Sequence, residues 1–222
     1  MYLIRHFIFL SFALSLLTSF SLSAQSITDS LAYTYDFKFN DGIFLNFEQV
    51  KSNNAIPKRN VISRLNINET NFLKEALSST EIKYFYKGQK QTVRTRDIWG
   101  YSSNGILYIN YNDEFYRVPN IGSISMFVAL IEQQYVSYSD PWNRGAHNYE
   151  QTTTQTRVSQ FLINFKNGTI YAFDEKNIGQ LIYDDESLFQ EFSDLKRRKR
   201  RQLAFSFVKR YNQKHPLYFP KR

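Results

Sequence analysis

Residues 100–111 read Gly100-Tyr-Ser-Ser-Asn104-Gly105-Ile-Leu-Tyr-Ile-Asn-Tyr111. An Asn-Gly pair stands between two segments rich in aromatic and β-branched side chains. A tight two-residue hairpin needs positive φ at both central positions, which Asn and Gly adopt at little cost. The stretch therefore reads as a β-hairpin. The same grammar recurs around Asp41-Gly42 in residues 37–47 and around Asn167-Gly168 in residues 161–173. Lys87-Gly88 suggests a further hairpin between residues 82–86 and 92–95, and Asn112-Asp113 turns residues 106–111 back into 115–118. Gly42, Gly105 and Gly168 are each 63 residues apart, but the segments between them do not match, so the spacing reads as coincidence.

Helical patterns are fewer. Residues 69–77 place Phe72, Leu73, Ala76 and Leu77 on one helical face, and residues 47–53 fit a helical turn before Pro57. The clearest helical region begins at Asp184-Asp185-Glu186, where acids suit a helix N-terminus. Leu188, Phe189, Phe192 and Leu195 form one apolar stripe, and Leu203, Ala204, Phe207, Val208 and Tyr211 a second, stopped by His215-Pro216. Residues 137–156 form the least structured-looking stretch, expected to be disordered. Within it Trp142, Arg144 and His147 are candidate contact residues. The expected fold class is α+β: mainly antiparallel β-hairpins in one domain spanning 25–182, with one or two C-terminal α-helices in a basic segment, 183–222, packed on it.

The start of the chain reads as an address. Arg5 and His6 precede an apolar run, residues 7–17, and Ser21-Leu-Ser23-Ala24-Gln25 offers a cleavage site after Ser23 or Ala24. Residues 1–24 are thus expected to be a secretory signal peptide, which places the mature chain in the periplasm, the cell envelope or outside the cell. The apolar run is short for a membrane span and interrupted by serines, and nothing later approaches the roughly 20 apolar residues a span needs. The chain has no cysteine, which excludes a disulfide scaffold, a thiolate metal site and a cysteine nucleophile. Stability outside the cell must therefore come from a hydrophobic core, and 222 residues with 17% aromatics are enough to build one.

Charge is concentrated at one end. The formal net charge of +8 invites a nucleic-acid reading, yet residues 195–222 hold 11 basic and no acidic residues, against 17 basic and 20 acidic over 1–194. A slightly acidic body carrying a basic tail is not a general nucleic-acid binder, and export removes that partner altogether. The densest cations, Lys196, Arg197, Arg198, Lys199, Arg200 and Arg201, cannot share one helical face. They read either as a solvated junction between two helices, with charges suited to a helix C-terminus, or as a surface for an acidic protein or anionic membrane.

Catalytic patterns are sparse. His147 and His215 are the histidines left after signal cleavage, and no His or Cys spacing marks zinc. Gly100-Tyr-Ser102-Ser-Asn-Gly105 is one residue too long for a nucleophile elbow. The eight glycines are dispersed and form no phosphate loop, so no cofactor or metal is expected. Asp97, Asp113, Glu114 and Asp140 could serve a glycosidase, whose chemistry needs two carboxylates, but no spacing pairs them.

Three segments resemble a group of uncharacterised exported proteins of Bacteroidetes-type bacteria. They are residues 41–50, followed by Asn53-Asn54-Ala55-Ile56-Pro57; Ile98-Trp99-Gly100-Tyr101 with residues 105–110, Phe115-Tyr-Arg117 and Ile121-Gly122; and Arg210-Tyr211-Asn212 with His215-Pro216-Leu217-Tyr218. Val50 stands where that group's pattern has an aromatic. The resemblance implies an envelope or secreted location and an α+β or mainly β fold, and no activity. The combined expectation is an exported, non-enzymatic binding or structural protein whose basic helix meets an anionic partner. The alternative is an envelope glycan hydrolase using a carboxylate pair.

Overall fold

A computed structural model describes residues 30–138 and 150–221. Strand β1 (Ser30–Ala32) is followed by β2 (Gly42–Phe44), helix α1 (Phe47–Lys51), β3 (Ile56–Pro57) and β4 (Val61–Ile62). Helix α2 (Phe72–Ala76) precedes the hairpin of β5 (Glu81–Tyr86) and β6 (Gln89–Arg94). Strands β7 (Gly100–Ser103), β8 (Ile106–Tyr111) and β9 (Glu114–Arg117) form a meander. Two long strands, β10 (Ile124–Tyr138) and β11 (Glu150–Asn164), lead to β12 (Ile170–Ala172). Helices α3 (Glu175–Leu181), α4 (Glu186–Asp194) and α5 (Arg197–Lys214) and strand β13 (Tyr218–Pro220) complete the described chain. The fold is α+β with antiparallel pairing throughout its registered ladders.

Alternation of side chains builds the layers. In the five-stranded sheet, ordered β3-β2-β7-β8-β9, successive residues point to opposite faces. Ile43 and Tyr101 therefore join a core with Phe72, Leu73, Ile82 and Tyr84, under α2 and the β4-β5-β6 sheet. Phe44, Leu107 and Ile109 face the other way and meet Phe127, Phe161 and Ile163 of the β10-β11-β12 sheet. The opposite face of that sheet, through Ile124, Met126 and Leu162, packs on Leu188, Phe192, Ala204, Phe207 and Tyr211 of the helices. Both sheet interfaces are apolar, so both middle sheets are buried on two faces at their centres.

Three turns match the sequence expectation. Lys87-Gly88, Asn104-Gly105 and Asn112-Asp113 all have positive φ at both positions, the requirement of the tight hairpin. Asn167-Gly168 closes β11 onto β12 through a longer loop, with Gly168 N–H donating to Asn164 C=O at 2.8 Å. Asp41-Gly42 is a correction. Gly42 does not turn a hairpin; it begins β2 and pairs with both Pro57 and Ser102. A Cβ there would stand 2.0 Å from the Ile56 carbonyl oxygen, so the glycine answers a close backbone approach. The coincident spacing of the three glycines therefore joins unlike positions.

The helices also depart in places. α3 is not among the helices read from the sequence, and its Asn177 and Gly179 are poor helix formers. Its signal was Asp174, whose carboxylate accepts the Asn177 N–H at 2.8 Å as an N-cap. α3 lies within the 25–182 body, and the segment 183–222 holds two helices, α4 and α5, as expected. Leu203 does not pack; it is 40% exposed, while Ala204, Phe207, Val208 and Tyr211 are buried. The stretch 137–156 is corrected as well: residues 137–138 and 150–156 belong to the β10–β11 ladder, which pairs Tyr138 with Glu150. Its Thr content (152, 153, 154 and 156) suited strand all along. Trp142, Arg144 and His147, with Asp140, lie outside the described residues.

Strand β13 was unforeseen. It brings Phe219 into the central core, stacked on Phe37 at 4.3 Å and edge-on to Phe39 at 5.4 Å. Asn212 ties α5 to β10: its side chain accepts from the Ile124 N–H and donates to the Ile124 C=O, both at 2.8 Å. Gly122 leaves the space Asn212 occupies, since a Cβ would meet its amide at 2.5 Å.

Candidate functional site

The cation run starts a helix. Lys196 is the N-cap of α5 and supplies no side-chain cap, and Arg197–Arg201 form its first turns with no acid among them. The expected match of charge to dipole therefore fails for most of the run. A helix N-terminus carries the positive end of the macrodipole, so cations there are disfavoured by about 0.3–1 kcal/mol each.

Three of the six are answered internally. Arg197 Nε donates to Glu175 Oε1 at 2.5 Å and Arg201 Nε to Glu175 Oε2 at 3.2 Å. Glu175 opens α3, where its own charge suits the helix start. The two guanidiniums, Arg197 first, hold its carboxyl down at about 2. Arg200 Nη1 donates to the Ser193 and Leu195 carbonyls, each at 3.1 Å, satisfying the C-terminal end of α4. Here the dipole argument holds. Lys196, Arg198 and Lys199 are exposed and have no ion pair among the described residues. A hollow of about 520 Å³ lies between α3 and α4 and is lined by Glu175, Gly179, Tyr183, Phe189 and, from the cation run, Arg200. Tyr183 and Phe189 meet edge-on there at 5.0 Å.

A second polar knot anchors α5 at its other end. Asp185 caps α4 by accepting the Leu188 N–H at 3.1 Å. It also accepts from Lys214 Nζ at 2.6 Å and lies 3.0 Å from His215 Nε2. The Lys214 ammonium, above all, holds the Asp185 carboxyl well below the usual range. Burial pushes Asp184 up, but hydrogen bonds from Lys166 and Tyr211 outweigh it and leave it lowered. His215 thus has a structural place, bridging the helix end to Asp185 and stacked on Tyr211 at 4.3 Å.

These carboxylates set an acid dependence. A group whose folded pKa is depressed contributes stability above its unfolded pKa and loses it as pH falls toward the folded value. With ordinary carboxyls near 4, the melting temperature should fall between about pH 4 and pH 2. Glu175→Gln should lower it at neutral pH and make the acid fall shallower. Thermal melts across this range check it; an unchanged slope would contradict the assignment.

Other sequence candidates are placed as follows. Ser102 is fully buried in β7, so it cannot act as a nucleophile. Asp97 and Asp113 line one hollow of about 450 Å³ together with Trp99, Tyr111 and Asn46. Sequence spacing hid this pair, because a 3-10 turn at Thr95–Asp97 and the β8–β9 turn meet only through sheet pairing. Asn110 holds that turn by donating to the Thr95, Arg96 and Ile98 carbonyls at 3.0–3.3 Å. Asp97 is bridged by Arg94 at 2.6 Å. Glu114 instead accepts from Tyr116 Oη at 2.5 Å.

Among the described residues, no helix is long and apolar enough to cross a membrane, and no three His, Asp or Glu gather as metal ligands. No family model matches the chain, and neither a curated protein nor a solved structure matches it.

Proposed function

We propose that this chain is an exported, envelope-associated binding or structural module whose basic α5 end engages an anionic partner. The observation that carries the reading is Lys196, Arg198 and Lys199, exposed and unpaired at a helix start that disfavours them. The fold pairs Arg197 and Arg201 with Glu175, engages Arg200 with backbone carbonyls, and leaves these three outward. An external anion relieves both their mutual repulsion and their clash with the dipole. The export part rests on residues 1–24 and on the resemblance to exported proteins. Fractionated cells should yield a mature chain beginning at Ala24 or Gln25, and an intact N-terminus in the cytoplasm would refute it.

Each exposed cation near an anionic surface contributes at most about 1 kcal/mol, and salt screens it. Changing Lys196, Arg198 and Lys199 together to Gln should therefore weaken binding to anionic vesicles or polyglutamate up to about a hundredfold at low salt. Equal binding by the native and substituted proteins would sink the reading.

A second reading has its own observation. Asp97 and Asp113 share a hollow with Trp99 and Tyr111, the residue types of a carbohydrate cleft. An envelope glycan hydrolase would use that pair. Release of reducing ends from a labelled envelope glycan, abolished in both Asp97→Asn and Asp113→Asn, is its expected result. Release that survives either change would reject it.

A further inference from the structure

The β10-β11-β12 sheet has one half-filled lane. β12 lies beside β11 only where Ile170–Ala172 oppose Phe161–Ile163. One residue later the Phe173 N–H donates to the Gln160 C=O at 3.0 Å, and the chain leaves at Asp174 to start α3. In an antiparallel strand alternate residues send both backbone groups to the same side. The Asn164 N–H, donating across the turn to Thr169 C=O at 2.9 Å, has the same parity as Gln160. The N–H and C=O groups of Val158, Thr156, Thr154 and Thr152 therefore face away from β10. No backbone hydrogen bond from the described residues reaches them on that side.

Such an edge is ordinarily blunted by proline, by charge or by shortness. This one has no proline over 152–158. Its one charged residue there, Arg157, sends its side chain to the opposite face from Val158. The face of Val158 is also unusual. Val158 is 65% exposed, its partner Leu130 52% and Val128 45%, and Phe205 of α5 adds 53%. A hollow of about 270 Å³ opens between Val128 and Phe205, lined also by Gln160, Phe173 and Arg201. Arg201 also reaches Glu175, so the lane begins beside the cation run.

We infer that an extended, acidic segment of a partner protein adds to β11 in the lane that β12 leaves. Its backbone pairs with Thr152–Val158, its apolar side chains cover Val158, Leu130 and Phe205, and its carboxylates meet Lys196, Arg198 and Lys199. This rests on the anionic-partner reading above and specifies the partner. Strand addition is an established recognition mode in which backbone bonds supply affinity and side-chain pockets supply specificity. A lipid surface fits less well, because an open sheet edge entering hydrocarbon leaves its polar groups unsatisfied. A second copy fits less well too: the ribbon 150–160 carries Glu150 and Arg157, with no net negative charge to answer the cations.

The probe is a short synthetic peptide of alternating valine and threonine ending in two aspartates, with a twin ending in two lysines. Titration into the full mature protein should show the acidic peptide binding and the lysine twin at least about tenfold weaker. Thr156→Pro removes one outward N–H and no inward ladder bond, so the fold should persist while peptide affinity drops about tenfold. Phe205→Ser should weaken the peptide similarly without involving the edge. Absence of acidic-peptide binding overturns the inference, as does affinity indifferent to both substitutions. A concentration-dependent dimer abolished by Thr156→Pro also overturns it, in favour of a second copy. A parallel titration with polyglutamate separates the two levels. Polyglutamate binding that needs the three cations, with no binding of the acidic peptide, rejects the lane and keeps the anionic reading. Indifference of both probes to the cations rejects both.

Discussion

Phe127→Ala is expected to destabilise the protein by about 3–5 kcal/mol, the range for emptying a buried aromatic site. Phe127 lies at the contact of the two middle sheets and is almost fully buried. Its ring stacks on Phe161 at 5.3 Å and meets Tyr111 edge-on at 5.5 Å. Strands on both sides are fixed by ladders, so the cavity has little room to collapse. At about 2–4 °C per kcal/mol for a chain of this size, the melting temperature should fall by about 10 °C. Chemical denaturation with an unchanged slope against denaturant would confirm a loss of native stability. A cost below about 1 kcal/mol would mean the two sheets do not share this core.

Gly42→Ala should cost roughly 3 kcal/mol or more, through both space and backbone. The residue has φ +154°, and the new Cβ would stand 2.0 Å from the Ile56 carbonyl oxygen. That oxygen belongs to the paired strand β3, so relief requires moving a backbone that β2 already holds. Gly88→Ala is the internal control. Gly88 also has positive φ, +77°, but its Cβ would meet open space. It should lose only about 1 kcal/mol, the cost of left-handed backbone alone. Equal losses at the two positions would deny the close approach at Gly42.

The turns were legible because their cause is local. Asn104-Gly105 and Asn112-Asp113 are built of residue types that tolerate positive φ, and at Lys87-Gly88 the glycine does. The stripe of Leu188 and Phe192 was legible for a similar reason: helical period and an acidic cap at Asp185 coincide in a few residues. Asp41-Gly42 has the same letters as a turn, yet its glycine serves a contact with β3, more than a dozen residues away. Leu203 sat in a plausible stripe, but the sheet that α5 covers is met by Ala204, Phe207 and Tyr211 instead. The strands at 150–156 looked like loop because their polar side chains need no core, only the ladder to β10.

The candidate site divides the same way. That six cations stand in a row, that the body is slightly acidic, and that no cysteine chemistry is possible are properties of composition, and the sequence alone determined them. Which cations are available is a tertiary matter. Glu175 reaches Arg197 and Arg201 only because α3 packs beside α5, and Arg200 is occupied only because α4 ends next to it. The Asp97–Asp113 hollow and the short reach of β12 along β11 likewise exist only once distant strands pair. Charge and turn preference act over a few residues and are written in order along the chain. Partners for a charge, or for a strand edge, are set by which segments the buried apolar faces bring together.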